Sequence, residues 1–134
     1  MTLRRKSREF ALQMLFEWDK THQDPARVEN LFWKSARAAD STRKFANELF
    51  EGAVAQASSI DELVEKLAAN WHLERLAAVD RSILRLGFYE LRLGETPPKV
   101  IIDEALELAR KFSSAESPAF LSGILDAAFK GPAT

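Results

Sequence analysis

The sequence predicts an all-α protein, folded as a compact bundle of seven helices. Only 5 Gly and 5 Pro interrupt the 134 residues. Every long stretch between them spaces its apolar residues three and four apart, which places them on one face of a helix. Strand-like alternation bounded by turn residues is missing from the sequence. Because the connections between the predicted helices are short, one bundle is favoured over domains joined by linkers.

The first three helices are predicted over residues 3–19, over residues 25–38 and from Asp40 onward. A polar break separates the first two, with Asp24 placed as an N-cap and Pro25 as the first helical residue after it. The apolar stripe of the first helix consists of Ala11, Met14, Leu15 and Trp18. The inward face of the third consists of Phe45, Leu49, Phe50, Ala53 and Ala57.

The last four helices are predicted from capping residues and from the positions of Gly and Pro. Ser59 and Glu62 have the spacing of a capping box, which predicts that a short fourth helix begins there. The fifth helix, over residues 76–93, is apolar on nearly all sides in its second half, so we expect it to be the buried central helix. The remaining boundaries are Gly94 at the end of the fifth helix, Thr96-Pro97-Pro98 and Ser117-Pro118 at the starts of the sixth and seventh, and Gly131-Pro132 at the end.

The composition is that of an ordinary globular protein of the cytoplasm. Apolar residues make up 46% of the chain and charged residues 29%, with a formal net charge of −1. The absence of Cys excludes disulfides and thiolate metal sites and fits a reducing cytoplasm. No apolar run is long enough to cross a bilayer, and we expect no secretory signal. Because the net charge is close to zero, any nucleic-acid site must be local.

No residue pattern points to catalysis or to a metal site. The sequence has no phosphate-cradling loop, dinucleotide fingerprint or nucleophile elbow. His22 and His72 lie far apart, whereas a zinc site needs three or four converging ligands. We interpret Glu104 and Glu107 as part of a solvated helix face on which Glu107 pairs with Lys111. We therefore expect neither an enzyme nor a bound cofactor.

A basic block at the start of the first helix is the strongest functional signal. Its four cations are Arg4, Arg5, Lys6 and Arg8, and Glu9 is the one acid beside them. Cations at a helix N-terminus oppose the macrodipole at a cost of about a few tenths of a kcal/mol each, so stability does not account for them. Arginine suits bidentate phosphate contact and stacking on bases. From the residues alone, a nucleic-acid contact and a solubilising helix end remain equally good explanations.

Four segments, spread in order over nearly the whole chain, carry a resemblance to a known family. They are residues 4–16, which hold the basic block; residues 80–91, D-R-S-I-L-R-L-G-F-Y-E-L; residues 98–112, P-K-V-I-I-D-E-A-L-E-L-A-R-K-F; and residues 120–126, F-L-S-G-I-L-D. Together they resemble the NusB family of bacterial transcription antitermination factors.

The resemblance implies a fold, a ligand and a partner. The fold is all-helical, with two small subdomains at about residues 1–57 and about residues 58–131. The ligand is the single-stranded boxA element of nascent ribosomal RNA transcripts, bound together with NusE, a ribosomal protein of the small subunit. The pair joins RNA polymerase in an antitermination complex, so that transcription passes through terminators. No catalysis is implied. The sequence itself leaves a monomer and a homodimer both open.

The resemblance also implies site residues at two places for RNA and one for NusE. The RNA contacts are expected at Arg4, Arg5, Lys6, Arg8, Glu116, Ser117, Phe120 and Ser122. Phe120 is either a base-stacking residue or a core residue one turn before Ile124. The NusE contacts are expected around the central helix, at Asp80, Leu84, Tyr89 and Glu90. Tyr89 serves equally well as a core residue with a satisfied hydroxyl group.

Two other functions remain as alternatives. One is the RNA-binding module of a ribosomal RNA methyltransferase system, although the sequence has neither the Gly-rich cofactor loop nor the catalytic Cys residues of such enzymes. The other is a helical protein-interaction adaptor whose arginines only solvate it. The sequence also departs from the family at Ser7, where Ala is usual, and at Ser122, where Asn is usual. Because Ser in place of Asn at position 122 removes a possible hydrogen bond to RNA, we expect weak boxA binding by the chain alone and a strong dependence on NusE.

Overall fold

The computed structural model describes residues 2–68 and 76–130, and all regular structure within these ranges is α-helical. The helices are α1 (Thr2–Thr21), α2 (Pro25–Ser35), α3 (Asp40–Ala55), α4 (Ala57–Leu67), α5 (Ala78–Leu93), α6 (Pro98–Phe112) and α7 (Ser117–Lys130). The prediction of an all-α fold with seven helices is therefore confirmed for the described part of the chain.

Two predicted helix ends form as the sequence indicates. At the start of α2, the Asp24 side chain accepts a hydrogen bond from the Ala26 backbone N–H at 3.3 Å, and Pro25 follows as the first helical residue. At the end of α5, Gly94 adopts a left-handed conformation with φ 72°, which Gly reaches without the steric cost that a Cβ brings.

Other predicted boundaries were wrong by two or three residues. Helix α2 ends at Ser35 instead of residue 38, because Ala36 already has an extended backbone. Helix α4 begins two residues before Ser59, whose hydroxyl group donates to the Gln56 carbonyl at 3.2 Å inside the helix, so the capping box does not form. The predicted stop at Gly131-Pro132 and the interpretation of His72 lie outside the described residues.

Helix α5 is the central helix, as its apolar sequence predicts. Its side chains at Ile83, Leu84, Leu86 and Phe88 are buried, and the helix packs against α1, α3, α4, α6 and α7. One continuous hydrophobic core contains residues from all seven helices. This core includes residues on both sides of the proposed boundary between subdomains. The division into subdomains at about residues 1–57 and 58–131 stays a prediction.

Two neighbouring carboxyl groups lie between α2 and α3, those of half-buried Glu29 and exposed Glu51. The Oε2 atom of Glu29 is buried and has no hydrogen-bond partner among the described residues. Burial first, and then the hydrogen bond and charge of the neighbouring Glu51, raise the pKa of Glu29 to about 8, while Arg43 opposes the shift. A proton shared between the two carboxyl groups would satisfy the buried oxygen.

We expect Glu29→Gln to stabilise the protein more at pH 9 than at pH 5. Between the ordinary pKa of 4.5 and the raised value of about 8, the native state keeps a proton that the unfolded state has released. The free energy of unfolding of the natural chain therefore falls as the pH rises through this window. Urea unfolding at both pH values measures the difference. Glu62→Gln, at an exposed carboxylate of α4, is the control, and equal responses of the two variants would contradict the prediction.

Candidate nucleic-acid interface

The start of α1 is anchored to the bundle through α3. Ser7 is buried, and its hydroxyl group donates to the backbone carbonyl of Thr42 at 2.9 Å. The buried residues Ala11 and Leu15 continue this contact along the helix. The basic block therefore has a defined position on the surface and does not form a free tail.

Arg8 is a structural residue in this arrangement. Its side chain is only 6% exposed, and its Nε and Nη2 atoms donate to the two carboxylate oxygens of Glu90 on α5 at 2.7 and 2.9 Å. Burial alone would lower the pKa of Arg8, but the bonds and charges of Glu90 and Glu104 raise it above its ordinary value. The guanidinium group is permanently charged, and Glu90 holds two of its three nitrogen atoms, so it offers almost no surface to a phosphate.

Arg5 is paired but remains accessible. Its Nε and Nη2 atoms donate to Glu104 on α6 at 3.1 and 2.7 Å, while 46% of its side chain stays exposed. The hydrogen bond from Arg5 lowers the pKa of Glu104, although burial works in the opposite direction. The charge of Arg5 is thus partly neutralised within the protein before any ligand arrives.

The interpretation of the α6 carboxylates as a solvated face was wrong for Glu104 and for the predicted pair of Glu107 with Lys111, whereas Asp103 and Glu107 are exposed. Glu104 is buried between α1 and α6. Lys111 does not pair with Glu107 but donates to both carboxylate oxygens of Glu9 at 3.0 Å. Glu107 pairs instead with Arg110 at 2.9 Å. For Lys111, a contact between helices therefore replaces the i,i+4 pair that the spacing predicts, while Glu107 keeps an i,i+3 pair within α6.

Arg4 and Lys6 are the exposed cations of the block with the weakest internal contacts. The Arg4 guanidinium stacks on the Phe45 ring of α3, with its Cζ atom 3.9 Å from the ring centroid. Arg4 forms no ion pair with a described residue. The Nζ atom of Lys6 lies 3.6 Å from a carboxylate oxygen of Glu9, in an exposed pair of the kind that contributes little.

The second predicted RNA segment is tied to α5 by a serine network. The carboxylate of Asp80 accepts hydrogen bonds from the hydroxyl groups of Ser113 at 2.7 Å and Ser117 at 3.0 Å. The Ser114 hydroxyl lies 2.9 Å from that of Ser117. Asp80 and Ser117 are both buried, so each holds the connection between α6 and α7 in place and presents almost no surface to a ligand.

A cavity of about 230 Å³ opens beside this network. Its apolar wall includes Leu76 and Phe120, and the exposed carboxylate of Glu116 lies at its edge. Phe120 is half-buried and packs against the core while still lining the cavity. Ser122, one turn into α7, is also half-buried. The cavity combines an aromatic wall with hydrogen-bond acceptors.

The predicted NusE contacts are mostly interior. Leu84 is fully buried, and Glu90 is engaged by Arg8, so neither contributes to a docking surface in this structure. Tyr89 is half-buried, and its ring lies so close over Gly52 of α3 that a Cβ there would overlap it. Burial raises the pKa of Tyr89, with further contributions from nearby carboxylates. Of the four predicted residues, only Tyr89 presents substantial surface.

Sequence reasoning missed the acidic partners of the basic block, Glu90 and Glu104. One signal for Arg8 was present, since it precedes Ala11 and Leu15 by three and seven residues and so extends the inward stripe by one turn. No local pattern marks Glu90, because it lies 82 residues away along the chain.

Among the described residues, no helix is both long and apolar enough to cross a membrane. The same part of the chain contains no cluster of three or more metal-ligating side chains.

Comparison with known proteins gives a consistent family match. The model of the NusB family matches residues 5–130. The transcription antitermination protein NusB of Koribacter versatilis is 48% identical over 125 residues, which cover 92% of this chain and 86% of the relative. The structure of NusB from T. maritima is 31% identical with a TM-score of 0.86, covering 98% of this chain and 93% of that one. A crystal structure of the antitermination factors NusB and NusE in complex with dsRNA is similar with a TM-score of 0.86 and 27% identity, covering 98% and 99%.

Proposed function

The chain belongs to the NusB family of transcription antitermination factors, and from this premise we propose that it binds the boxA element of nascent ribosomal RNA transcripts together with NusE. The pair then joins RNA polymerase in an antitermination complex. The family is not one of enzymes, so the protein acts through binding. The related NusB in complex with NusE and dsRNA supports both partners.

The anchored basic start of α1 is the observation that carries the proposal. Arg4 and Lys6 are exposed, and Arg5 keeps nearly half of its side chain accessible beside Glu104. Because Ser7 fixes the helix to Thr42, these cations are held at defined positions before RNA arrives. Preorganisation of this kind reduces the entropy lost on binding. Arg8 contributes by holding α1 in place and not by touching RNA.

The cavity beside α7 is the proposed second contact. Phe120 offers an aromatic wall on which one unpaired base can stack, a contact that is typically worth about 1–3 kcal/mol. Glu116 repels phosphate, so its carboxylate is assigned to base amino groups, which donate hydrogen bonds. We assign the NusE contact to the surface around Tyr89. The serine network of Asp80 supports the RNA contact indirectly by fixing the connection that carries Glu116.

We expect Arg4→Ala/Lys6→Ala to weaken boxA binding and to reduce its salt dependence. Each phosphate contact to a single strand contributes about −0.7 to the slope of log K against log salt, so the loss of two contacts makes this slope less negative by about 1.4. Fluorescence anisotropy with boxA RNA and a scrambled RNA, with and without NusE, measures both effects. The control is Arg27→Ala/Lys66→Ala, which removes the same charge from exposed positions on α2 and α4.

The outcome separates RNA binding from an adaptor function. NusE-enhanced, boxA-selective binding that is weakened only in the Arg4/Lys6 variant supports the proposal. Weak binding that is equal for both RNAs and unaffected by either variant would leave a helical protein-interaction module.

A further inference from the structure

The chain contains a second basic segment that the proposed RNA site does not use. Residues 34–44 connect the last turn of α2 to the first turn of α3. They contain one acid, Asp40, and four cations: Lys34, Arg37, Arg43 and Lys44. This segment is as basic as the start of α1, while the remainder of the chain has a large excess of acidic residues.

All four cations of this segment are exposed, and none forms an ion pair with a described residue. In this they differ from Arg5 and Arg8, whose charges are compensated by carboxylates. The C-terminal dipole of α2 favours the cation of Lys34, which lies in its last turn. No such effect favours Arg43 and Lys44 near the start of α3. Arg43 lies near enough to the Glu29 carboxyl group to act on its pKa, but it forms no ion pair with it. The unpaired cations make this part of the surface suited to an anionic ligand.

The segment adjoins the basic start of α1. The Ser7 hydroxyl donates to the carbonyl of Thr42, the residue before Arg43, and Arg4 stacks on Phe45, the residue after Lys44. The two basic segments therefore meet where α1 crosses the first turn of α3.

We propose that residues 34–44 extend the RNA surface of the α1 start and bind the phosphates of RNA that flanks boxA. The inference rests on the proposed function, because it adds flanking contacts to that site. A single-stranded RNA matches the surface in two respects. Its phosphates complement a group of unpaired cations. Its bases can stack on an arginine that itself lies on an aromatic ring. Arg4 lies on Phe45 in this way, and the Cζ atom of Arg43 lies 5.2 Å from the Trp33 ring centroid.

The test compares a short RNA limited to boxA with the same RNA extended on both sides by uridine tracts. The variant is Arg37→Gln/Lys44→Gln, because neither side chain makes a hydrogen bond, ion pair or ring contact with a described residue. We expect the natural chain to bind the extended RNA more tightly. The variant should bind the short RNA as the natural chain does and lose the gain in affinity from the extension. Its slope of log K against log salt on the extended RNA should be less negative by about 1.4.

The control Arg27→Gln/Lys66→Gln removes the same net charge elsewhere, and circular dichroism checks that every variant is folded. No gain from the extension, or a gain that the Arg37/Lys44 variant keeps, would overturn the inference while leaving boxA binding intact. The inference also fails if the variant and the natural chain bind every RNA with equal affinity and differ only in their affinity for an acidic protein. Failure of the natural chain to select boxA over scrambled RNA would remove the proposed function itself.

Discussion

Glu90→Ala should lower the free energy of unfolding by about 3–5 kcal/mol, the cost of breaking a buried ion pair by removing one partner. Glu90 accepts both bonds of the buried Arg8 guanidinium, at 2.7 and 2.9 Å. In the variant, the nearest remaining carboxylate oxygen of Glu104 lies 3.8 Å from Arg8 and is already engaged by Arg5. The guanidinium group cannot lose its charge, so it would stay buried without adequate compensation. Urea unfolding at neutral pH measures the change.

Two further variants test whether the loss comes from the uncompensated charge. Arg4→Ala, at an exposed residue of the same block, should cost about 1 kcal/mol or less, because it removes only an exposed cation–aromatic contact. Arg8→Leu/Glu90→Leu should recover much of the stability, since apolar residues can replace a buried pair without leaving a charge behind. A loss in Glu90→Ala no larger than that in Arg4→Ala would show that Arg8 reaches water in solution.

This prediction affects how mutations of the basic block are interpreted. A variant that removes Arg8 together with Arg4 would lose RNA binding through a displaced α1 as readily as through a missing phosphate contact. The two causes separate only when Arg8 is left in place. For this reason, the RNA test above uses Arg4 and Lys6.

The fold was predictable because its determinants are local. The spacing of apolar residues predicts each helix, and Asp24 and Gly94 act through their immediate neighbours. The prediction of a capping box at Ser59 was wrong because only Gln56 separates α3 from α4. Helix α4 therefore begins at Ala57, and Ser59 lies inside its first turn. A local signal for a cap is weaker than the packing that continues a helix.

The candidate site was predictable only in part, because the exposure and pairing of each site residue depend on residues that are distant in the sequence. Arg4, Arg5 and Arg8 look alike in the sequence. In the structure, Arg4 is exposed, Arg5 pairs with Glu104 and Arg8 is buried against Glu90. The two ion pairs join residues that lie 99 and 82 positions apart in the sequence. Leu84 illustrates the same limit, since an apolar residue on a central helix can face either a partner or the core, and here it faces the core.

Arg85→Met should also destabilise the protein by about 3–5 kcal/mol, because the buried Arg85 joins α5 to the buried side chain of Asp19 on α1 and to half-buried Asp61 of α4. Its Nη1 atom donates to Asp19 of α1 at 2.6 Å, and its Nε and Nη2 atoms donate to Asp61 of α4 at 2.9 Å. Arg81 also bonds Asp19, at 2.7 Å. Removing Arg85 leaves Asp19 with one partner and Asp61 without its two strongest bonds. Thermal and urea unfolding at pH 7 measure the loss.

The destabilisation by Arg85→Met should shrink as the pH falls below about 4. Burial alone would raise the pKa of Asp19, but the hydrogen bonds from Arg81 and Arg85 hold it below the ordinary value of 3.8. A carboxylate with a lowered native pKa contributes stability above its unfolded pKa and loses it as the pH falls through the native value. In acid, the natural chain thus loses the stability that this carboxylate contributes, whereas the variant loses less because its carboxylate contributes less.

The control is Arg92→Met, at an exposed arginine bonded to the Gln56 and Ser59 side chains. It should lower the free energy of unfolding by a small amount that does not change with pH. A constant difference between the natural chain and Arg85→Met from pH 7 to pH 3 would mean that Arg85 stabilises the bundle through its packing against Trp18 and not through its charge.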